Sequence, residues 1–483
     1  MPFPTAAFAV FFVAAFTVNW LLRPHQLVWR ATMAAVSLYF CAWVDVRFAL
    51  VVVGAAVVNG VLASAVARAR GLGEATPASR RLVRIAVVVD VAVLGVFAYH
   101  GFFLDSVTDV LDAVGLSATA PAVGLLVPVG LSFVTLNAIS YVIDVGRGDV
   151  EPVAWGDLLL YLSFFPHLVA GPPVRVDELV PQFHDRPDPR RVPATDAFVL
   201  IGLGLVKAVV VAGYLATELV DPAFASPGDA GGPTLLVALY AVAIQVYASF
   251  SGLTDMAVGC ALLLGIEYPR PFDAPYRALS VREFWDRWNT PVSHWLRDYV
   301  YVPLGGDREG VSRTYRNLVA TMVVGALWYG AGWPFAVWGL VHGGYLVGER
   351  ALRSRARPGT GDDAPAVDAA SPAGAAWRWV LTFHLVVLAW VFYRADTLGT
   401  AGEVLGRIVT LAPGGPVAVP PLAVPLIVAA VAAQFVPADR TLGLRARFTS
   451  LAPVAQVAVL AAVLTAVSVL GPDGALPASY LPF

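Results

Sequence analysis

The chain has 483 residues, 58% of them apolar and only 14% charged, with a formal net charge of −2 and a mean hydropathy of +0.71. Soluble domains carry about 25% charged and about 45–50% apolar residues, so a polar surface cannot cover this chain and its solvent is lipid. The charge balance excludes a strongly basic nucleic-acid binder. Cys41 and Cys260 both lie in apolar runs, which excludes a disulfide framework or a thiolate metal site.

A spanning helix needs about 20 mainly apolar residues. Candidates in chain order are 5–22, 30–45, 47–67, 83–104, 121–145, 196–217, 234–265, 377–394, 418–437 and 453–471. The first has no basic residue before it and no small-residue cleavage site after it, so it reads as a span rather than a signal peptide. Two further stretches, 155–172 and 318–349, are apolar but interrupted by Gly and Pro.

Basic residues orient the spans. They fall at 23–30, 68–84, 173–191, 267–316, 350–357 and 440–447, whereas 105–119, 218–233 and 472–483 contain neither Lys nor Arg. The two sets alternate for ten spans with both termini extracytoplasmic, provided each interrupted stretch enters and leaves on the cytoplasmic side. Non-helical backbone at membrane depth persists only where it is buried in protein or lines a cavity. A cavity is therefore expected at those two stretches. The organisation predicted is N-terminal helices over 1–120, a core over 121–349, a linker over 350–376 and C-terminal helices over 377–483. Within the linker, 358–376 is rich in Ala, Pro and Gly and reads as a disordered cytoplasmic segment.

The longest polar interval, 267–316, is assigned to the cytoplasmic side. It holds eight arginines together with Phe284, Trp285, Trp288, Trp295, Tyr299 and Tyr301. From 281 to 295 the aromatics sit close to i, i+4, i+7 spacing, which predicts one amphipathic helix with its rings at headgroup depth. A membrane-surface helix and nothing more remains an open reading of that pattern.

Seven histidines are few enough to weigh singly. His25, His100 and His184 fall at connections or helix ends, and His384 sits among bulky apolar residues. His294 lies on the amphipathic segment, and His167 lies in the irregular SFFPHLVAGPP, where structural and lining roles are balanced. His342 differs, because WYGAGWPFAVWGLVHGG places it among Gly339, Gly343 and Gly344, which permit close helix packing. An ionisable group at that depth is a functional-site hypothesis, and a neutral imidazole is suited to take a proton near pH 7. The residues alone leave a catalytic and a packing histidine both open. No second histidine has metal-ligand spacing to it. Asp144, Lys207, Gln245 and Asp255 are further polar groups in apolar runs, read as structural, with Asp255 expected to pair inside the bundle.

Several long motifs in order bear a resemblance. They are PVGLSFVTLNAISYVIDVGRG (128–148), YLSFFPHLVAGPPVR (161–175), GLGLVKAVVVA (202–212), FSGLTDMAVGCALLLGIEYPRPFDAPY (250–276), VREFWDRWNTPVSHWLRDYVYVPLGG (281–306), WYGAGWPFAVWGLVHG (328–343) and WVFYRAD (390–396). The chain resembles the membrane-bound O-acyltransferases, in particular the bacterial branch of alginate O-acetylation and teichoic acid D-alanylation proteins. The resemblance implies an all-α polytopic bundle around a funnel or tunnel. An acyl thioester, acyl-CoA or an acyl carrier protein, enters from the cytoplasmic side and meets a hydroxyl acceptor at an invariant histidine. That position is His342, implied as general base, and the second family position is Asn289, which would orient the imidazole or donate to the thioester oxygen. The bacterial branch usually has histidine where this chain has Asn289 and Tyr329. Trp285, Arg287, Trp288, Arg297, Tyr299, Tyr329 and Trp338 would line or hold the substrates. No permanent cofactor is implied, and transfer would be direct, without an acyl-enzyme.

The function expected is O-acylation of an exported polysaccharide, lipid or metabolite at the plasma membrane. The alternative is an acyl conduit that serves a separate extracytoplasmic transferase. A secondary transporter is disfavoured, because the interrupted segments do not fall in matching halves.

Overall fold

A computed structural model describes residues 3–71, 75–116, 127–128, 130–168, 171–356, 371–437, 443 and 446–471. The protein is all-α: among the described residues the sole β pairing is an isolated bridge between Ala230 and Val417. Residues 121–126 and 129 of the span expected at 121–145 lie outside the described residues, as do 357–370 of the linker and 472–483 of the tail.

Side chains cap the first turn of several of the helices that form from apolar runs. Helix α1 (Ala6–Leu22) begins after Thr5, whose side chain accepts from the Phe8 amide at 3.2 Å. After α2 (Gln26–Ala42), Asp45 caps α3 (Val46–Ala69) and Thr76 caps α4 (Pro77–Ala113), the latter with proline in its first turn. Each cap satisfies an amide that the first turn would otherwise leave unbonded. Helices α5 (Leu131–Arg147), α6 (Trp155–Ser163), α7 (Phe165–Leu168) and α8 (Val176–His184) follow. Helices α9 (Ala194–Ala225) and α10 (Gly232–Leu263) are long and apolar. Two short helices, α11 (Val281–Arg287) and α12 (Thr290–Leu296), precede α13 (Val311–Tyr329) and α14 (Trp333–Ala356). The chain closes with α15 (Pro372–Arg394), α16 (Leu398–Val409), α17 (Ala423–Ala433) and α18 (Pro453–Leu470).

Among the described residues, α3, α4, α9, α10 and α15 are long and apolar enough to cross a membrane, and this is a multi-pass membrane protein. Ala6–Leu22, Ala423–Ala433 and Val454–Val469 are shorter apolar helices. The span read at 83–104 lies inside the 37-residue α4, whereas that read at 30–45 overruns α2, which ends at Ala42.

The chain divides into two compact units, one of residues up to Ala197 plus Ala257–Pro269, the other of Phe198–Met256 plus residues from Arg270 onward. In the first, the stretch expected to be irregular at 155–172 breaks between α6 and α7 at Phe164, and its backbone packs tightly. A Cβ on Gly130, which has φ +75°, would lie 2.4 Å from the Leu168 carbonyl oxygen, and one on Gly171 would lie 2.2 Å from the His167 Cα. His167, Phe164, Phe165 and Leu168 are all fully buried.

In the second unit, α9 and α10 touch backbone to backbone. A Cβ on Gly204 would sit 2.5 Å from the Gly252 carbonyl oxygen. That approach sets Lys207 beside Asp255, and the two form the ion pair expected of a buried acid in this bundle. Helices α13 and α14 form the other tight pair, joined by the turn 330–332. A Cβ on Gly339 would lie 2.7 Å from Val323 Cα, and one on Gly343 2.9 Å from Val319 Cα. As one residue number rises the other falls, so the pair is an antiparallel hairpin. Two of the three glycines singled out in the sequence therefore serve helix packing. Gly344 is exposed and a Cβ there would touch nothing.

One expectation is overturned. The segment 281–295 is not one continuous helix. The chain breaks at Trp288–Asn289, where Asn289 takes the left-handed conformation (φ 42°). Pro291 explains the break: it has no amide to donate to the Arg287 carbonyl four residues back and its ring would clash with it, so that carbonyl accepts from the Asp273 amide instead and the proline starts a new helix in its first turn. Its rings also point inward: Phe284, Trp288 and Trp295 are buried in this unit.

Candidate active site

Helix α14 carries Trp338, His342, Tyr345 and Glu349 at i, i+4, i+7 and i+11, one face of a helix. The hairpin glycines lie on a neighbouring face, so close packing against α13 also fixes the direction in which that first set points. His342 is fully buried. Its ring is enclosed by Trp285 and Trp338 (centroids 5.2 Å, both edge-to-face), Tyr345 (5.7 Å) and Phe284 (6.4 Å, near-parallel at 15°). The Trp285 indole donates to His342 Nδ1 at 3.3 Å, and Nε2 has no partner among the described residues.

Helix α11 is held in place by a set of local bonds. Ser280 accepts from the Glu283 amide at 3.0 Å, while the Glu283 carboxylate accepts from the Leu279 amide at 2.8 Å. Glu349, from the far end of the α14 face, accepts from the Arg282 amide at 3.2 Å. An acidic group there meets both an unsatisfied amide and the positive end of the helix dipole. At the other end, the Ser293 hydroxyl bonds the carbonyls of Trp285 (2.9 Å) and Trp288 (3.1 Å), so α12 caps α11 across the break.

Asn289 and Tyr329, the two positions read from the sequence as departures, meet each other. The Tyr329 hydroxyl accepts from Asn289 Nδ2 and from the Trp288 indole, each at 3.2 Å. Asn289 therefore reaches His342 only indirectly: Tyr329 lies edge-on to Trp338 at 5.5 Å, and Trp338 borders the imidazole. Of the other residues named from the sequence, Arg287 is committed to Asp273 (2.7 Å) and Glu283 (2.9 Å) and braces α11 from outside. Tyr299 is buried against Trp295. Sequence reasoning missed Phe284, Tyr345 and Glu349 as neighbours of the site. The spacing from Trp338 to Glu349 was the available signal.

Beside this box lies a cavity of about 270 Å³. Trp285 forms part of its wall, with Arg282, Arg297, Arg350 and Arg353 set against Asp286 and Glu349. Leu296, Leu318, Met322 and Leu346 supply an apolar surface. A small space with four guanidiniums and an apolar side suits a molecule that is anionic at one end and apolar at the other. Among the described residues no group of three or more His, Cys, Asp or Glu side chains is placed to hold a metal ion.

Comparison with known proteins supplies the family context. Residues 123–391 match the model for MBOAT, the membrane-bound O-acyltransferase family. The chain is 37% identical over 408 residues to a probable alginate O-acetylase, AlgI, of Pseudomonas aeruginosa, covering 83% of this chain and 73% of the relative. It is 31% identical over 437 residues to a peptidoglycan O-acetyltransferase of Helicobacter pylori (84% and 78%). A teichoic acid D-alanyltransferase of Streptococcus thermophilus matches at 27% over 240 residues (47% and 58%).

Proposed function

The chain belongs to the membrane-bound O-acyltransferase family, and on that premise we propose that it moves an acyl group from a cytoplasmic thioester donor to a hydroxyl of an exported polysaccharide. The acyl group proposed is acetyl, after the relatives named for O-acetylation. His342 supplies the polar group at the reacting centre. The observation that carries this reading is the junction of box and cavity. Trp285 bonds the buried imidazole and also walls a space with four arginines. A thioester on a phosphate-bearing carrier, CoA or the prosthetic arm of an acyl carrier protein, has the chemistry to fill it. Its phosphates meet guanidiniums as bidentate, charge-assisted partners, and its thin apolar arm lies along the leucines.

Asn289 and Tyr329 act on the reaction as a bonded pair that positions Trp338. An external hydroxyl needs no protein nucleophile, so transfer is direct: the carbon–sulfur bond of the thioester breaks as the carbon–oxygen bond of the ester forms.

Mass spectrometry of envelope polysaccharides tests the reading, with wild type and His342→Ala compared at matched membrane levels. An acyl-sized increment present in the wild type and lost in the variant is the expected result. An increment that survives in the variant but disappears on gene deletion would replace transfer with a conduit role. No increment in either strain rules out the polysaccharide acceptor.

A further inference from the structure

Helix α4 is the least covered of the five long apolar helices, with 11% of its apolar stretch buried against 33–67% in the others. Its covered side carries Ser79, Ala86 and Asp90 at i, i+7 and i+11. The opposite side changes character along its length. It begins with Arg80, Arg81 and Arg84, all exposed, and runs on into Ile85 (44% exposed), Val88 (66%) and Val91 (52%). Arg81, Ile85 and Val88 stand at i, i+4 and i+7, and so do Arg84, Val88 and Val91. Guanidiniums and apolar side chains therefore share one stripe of the helix.

A fourth arginine lies at the same depth on α3. The Thr76 hydroxyl donates to the Ala69 carbonyl at 2.6 Å and ties the end of α3 to the start of α4. Further in, a Cβ on Gly146 would meet Val83 at 2.6 Å and Val66 at 3.6 Å. Those two valines are level on antiparallel helices, and so are the exposed Arg68 and Arg81, two residues nearer the helix ends. Neighbouring arginines are committed elsewhere: Arg70 to Glu151 and the Val145 carbonyl, Arg147 to Asp144. Among the described residues Arg68, Arg80, Arg81 and Arg84 meet no carboxylate. Four like charges at one end of a helix pair repel one another until an anion joins them.

We propose that this end of α3 and α4 binds the headgroup of an anionic phospholipid, whose acyl chains lie along Ile85, Val88 and Val91. The leaflet is the one read from the sequence as cytoplasmic. Charge complementarity selects the occupant: guanidiniums take phosphate oxygens as bidentate partners, and net negative charge separates this lipid from a zwitterionic one. Depth excludes a soluble acidic protein. Val91 lies about 10 Å further along the helix than Arg84, so a single occupant must reach from headgroup into hydrocarbon. A second copy of the chain packed in parallel on the stripe would set arginine against arginine.

Native mass spectrometry of the full-length protein tests this, with phosphatidylglycerol and phosphatidylcholine of identical chains offered in equal amounts. Wild type is expected to retain phosphatidylglycerol at least about fivefold over phosphatidylcholine. In R80Q/R81Q/R84Q that ratio should fall to about one, and in R80K/R81K/R84K, which keeps the charges, it should stay within about twofold of wild type. R186Q/R190Q/R191Q removes three charges from the exposed connection after α8 and should keep the wild-type ratio. Where the triple glutamine variant fails to insert, R81Q alone is read, with a ratio about twofold lower expected. Equal retention of both lipids by wild type overturns the proposal, as does an equal loss in the R186Q/R190Q/R191Q control. Displacement of the bound lipid by glycerol 3-phosphate overturns it in favour of a soluble-anion site. Disulfide cross-linking of V88C in membranes overturns it in favour of a second copy on the stripe; Cys41 and Cys260, the two native cysteines, are both buried.

Discussion

Two histidines of this chain, His167 and His342, are fully buried, and their surroundings differ in kind. His167 sits where α6 has ended and α7 lasts a single turn, with its Nε2 3.4 Å from the side-chain nitrogen of Asn137. His342 sits in the middle of a regular helix, ringed by aromatics and bonded by an indole. An amide can turn either its oxygen or its nitrogen toward a ring, so Asn137 accommodates either tautomer of its neighbour. The indole has no such choice and presents only its N–H to the ring. Burial is therefore common to both histidines, and the freedom of the partner is what separates them.

The largest expected effect is on His342. His342→Ala should lower acyl transfer by about 10²–10⁴-fold, whereas His167→Ala should leave the rate per folded molecule within about threefold and lower the melting temperature instead. Rates normalised to folded protein, read beside thermal unfolding in detergent, check both. Equal rate losses at the two positions would erase the distinction. Next is Gly339→Val, which drives a branched side chain into a backbone only 2.7 Å from the Cβ position. Overpacking of this kind costs about 1–3 kcal/mol and should show as a lower melting temperature. The same change at the exposed Gly344 should have little effect.

Tyr329→Phe removes one hydroxyl and strands two buried donors, those of Trp288 and Asn289. Leaving a buried donor unpaired costs about 1–3 kcal/mol, so a stability loss is expected, with a drop in kcat that Asn289→Ala should largely reproduce. If the two single changes add in full, the pair is not acting as one unit. The smallest effect belongs to Arg297→Ala at the cavity. Its side chain is 59% exposed and already paired with Asp298, and an exposed ion contact is worth about 0–1 kcal/mol. The donor KM should rise about fivefold or less, by an amount that shrinks with added salt, while kcat holds.

From the residues alone His342 was open to a catalytic and a packing reading, and the resemblance singled it out; the structure places it fully buried among aromatic rings. Asn289 and Tyr329 were legible as departures from a motif, but their bond to each other was not, since it spans forty positions. Trp285 was read as lining. Its role as a donor to His342 depends on the path of α11, which three local contacts and a carboxylate from α14 determine. The error at 281–295 has a plain cause: aromatic spacing was read through Pro291, and the left-handed turn at Asn289 has no periodic signal. Five of the ten spans were legible as apolar runs that became long apolar helices among the described residues, but their ends were not. Helix α4 extends past both limits of its run because polar residues at its two ends keep helical backbone without contributing to an apolar stretch.

The glycine-lined hairpin has a consequence for the order of assembly. Its two helices are neighbours in sequence joined by a three-residue turn, so closing it costs little chain entropy and it belongs among the early-forming parts of the molecule. The imidazole is thus mounted on a local element, while the tryptophan that bonds it comes from more than fifty residues upstream. A partly assembled chain would hold the histidine in place before Phe284 and Trp285 close on it. The finished enclosure would then be among the last features that folding specifies.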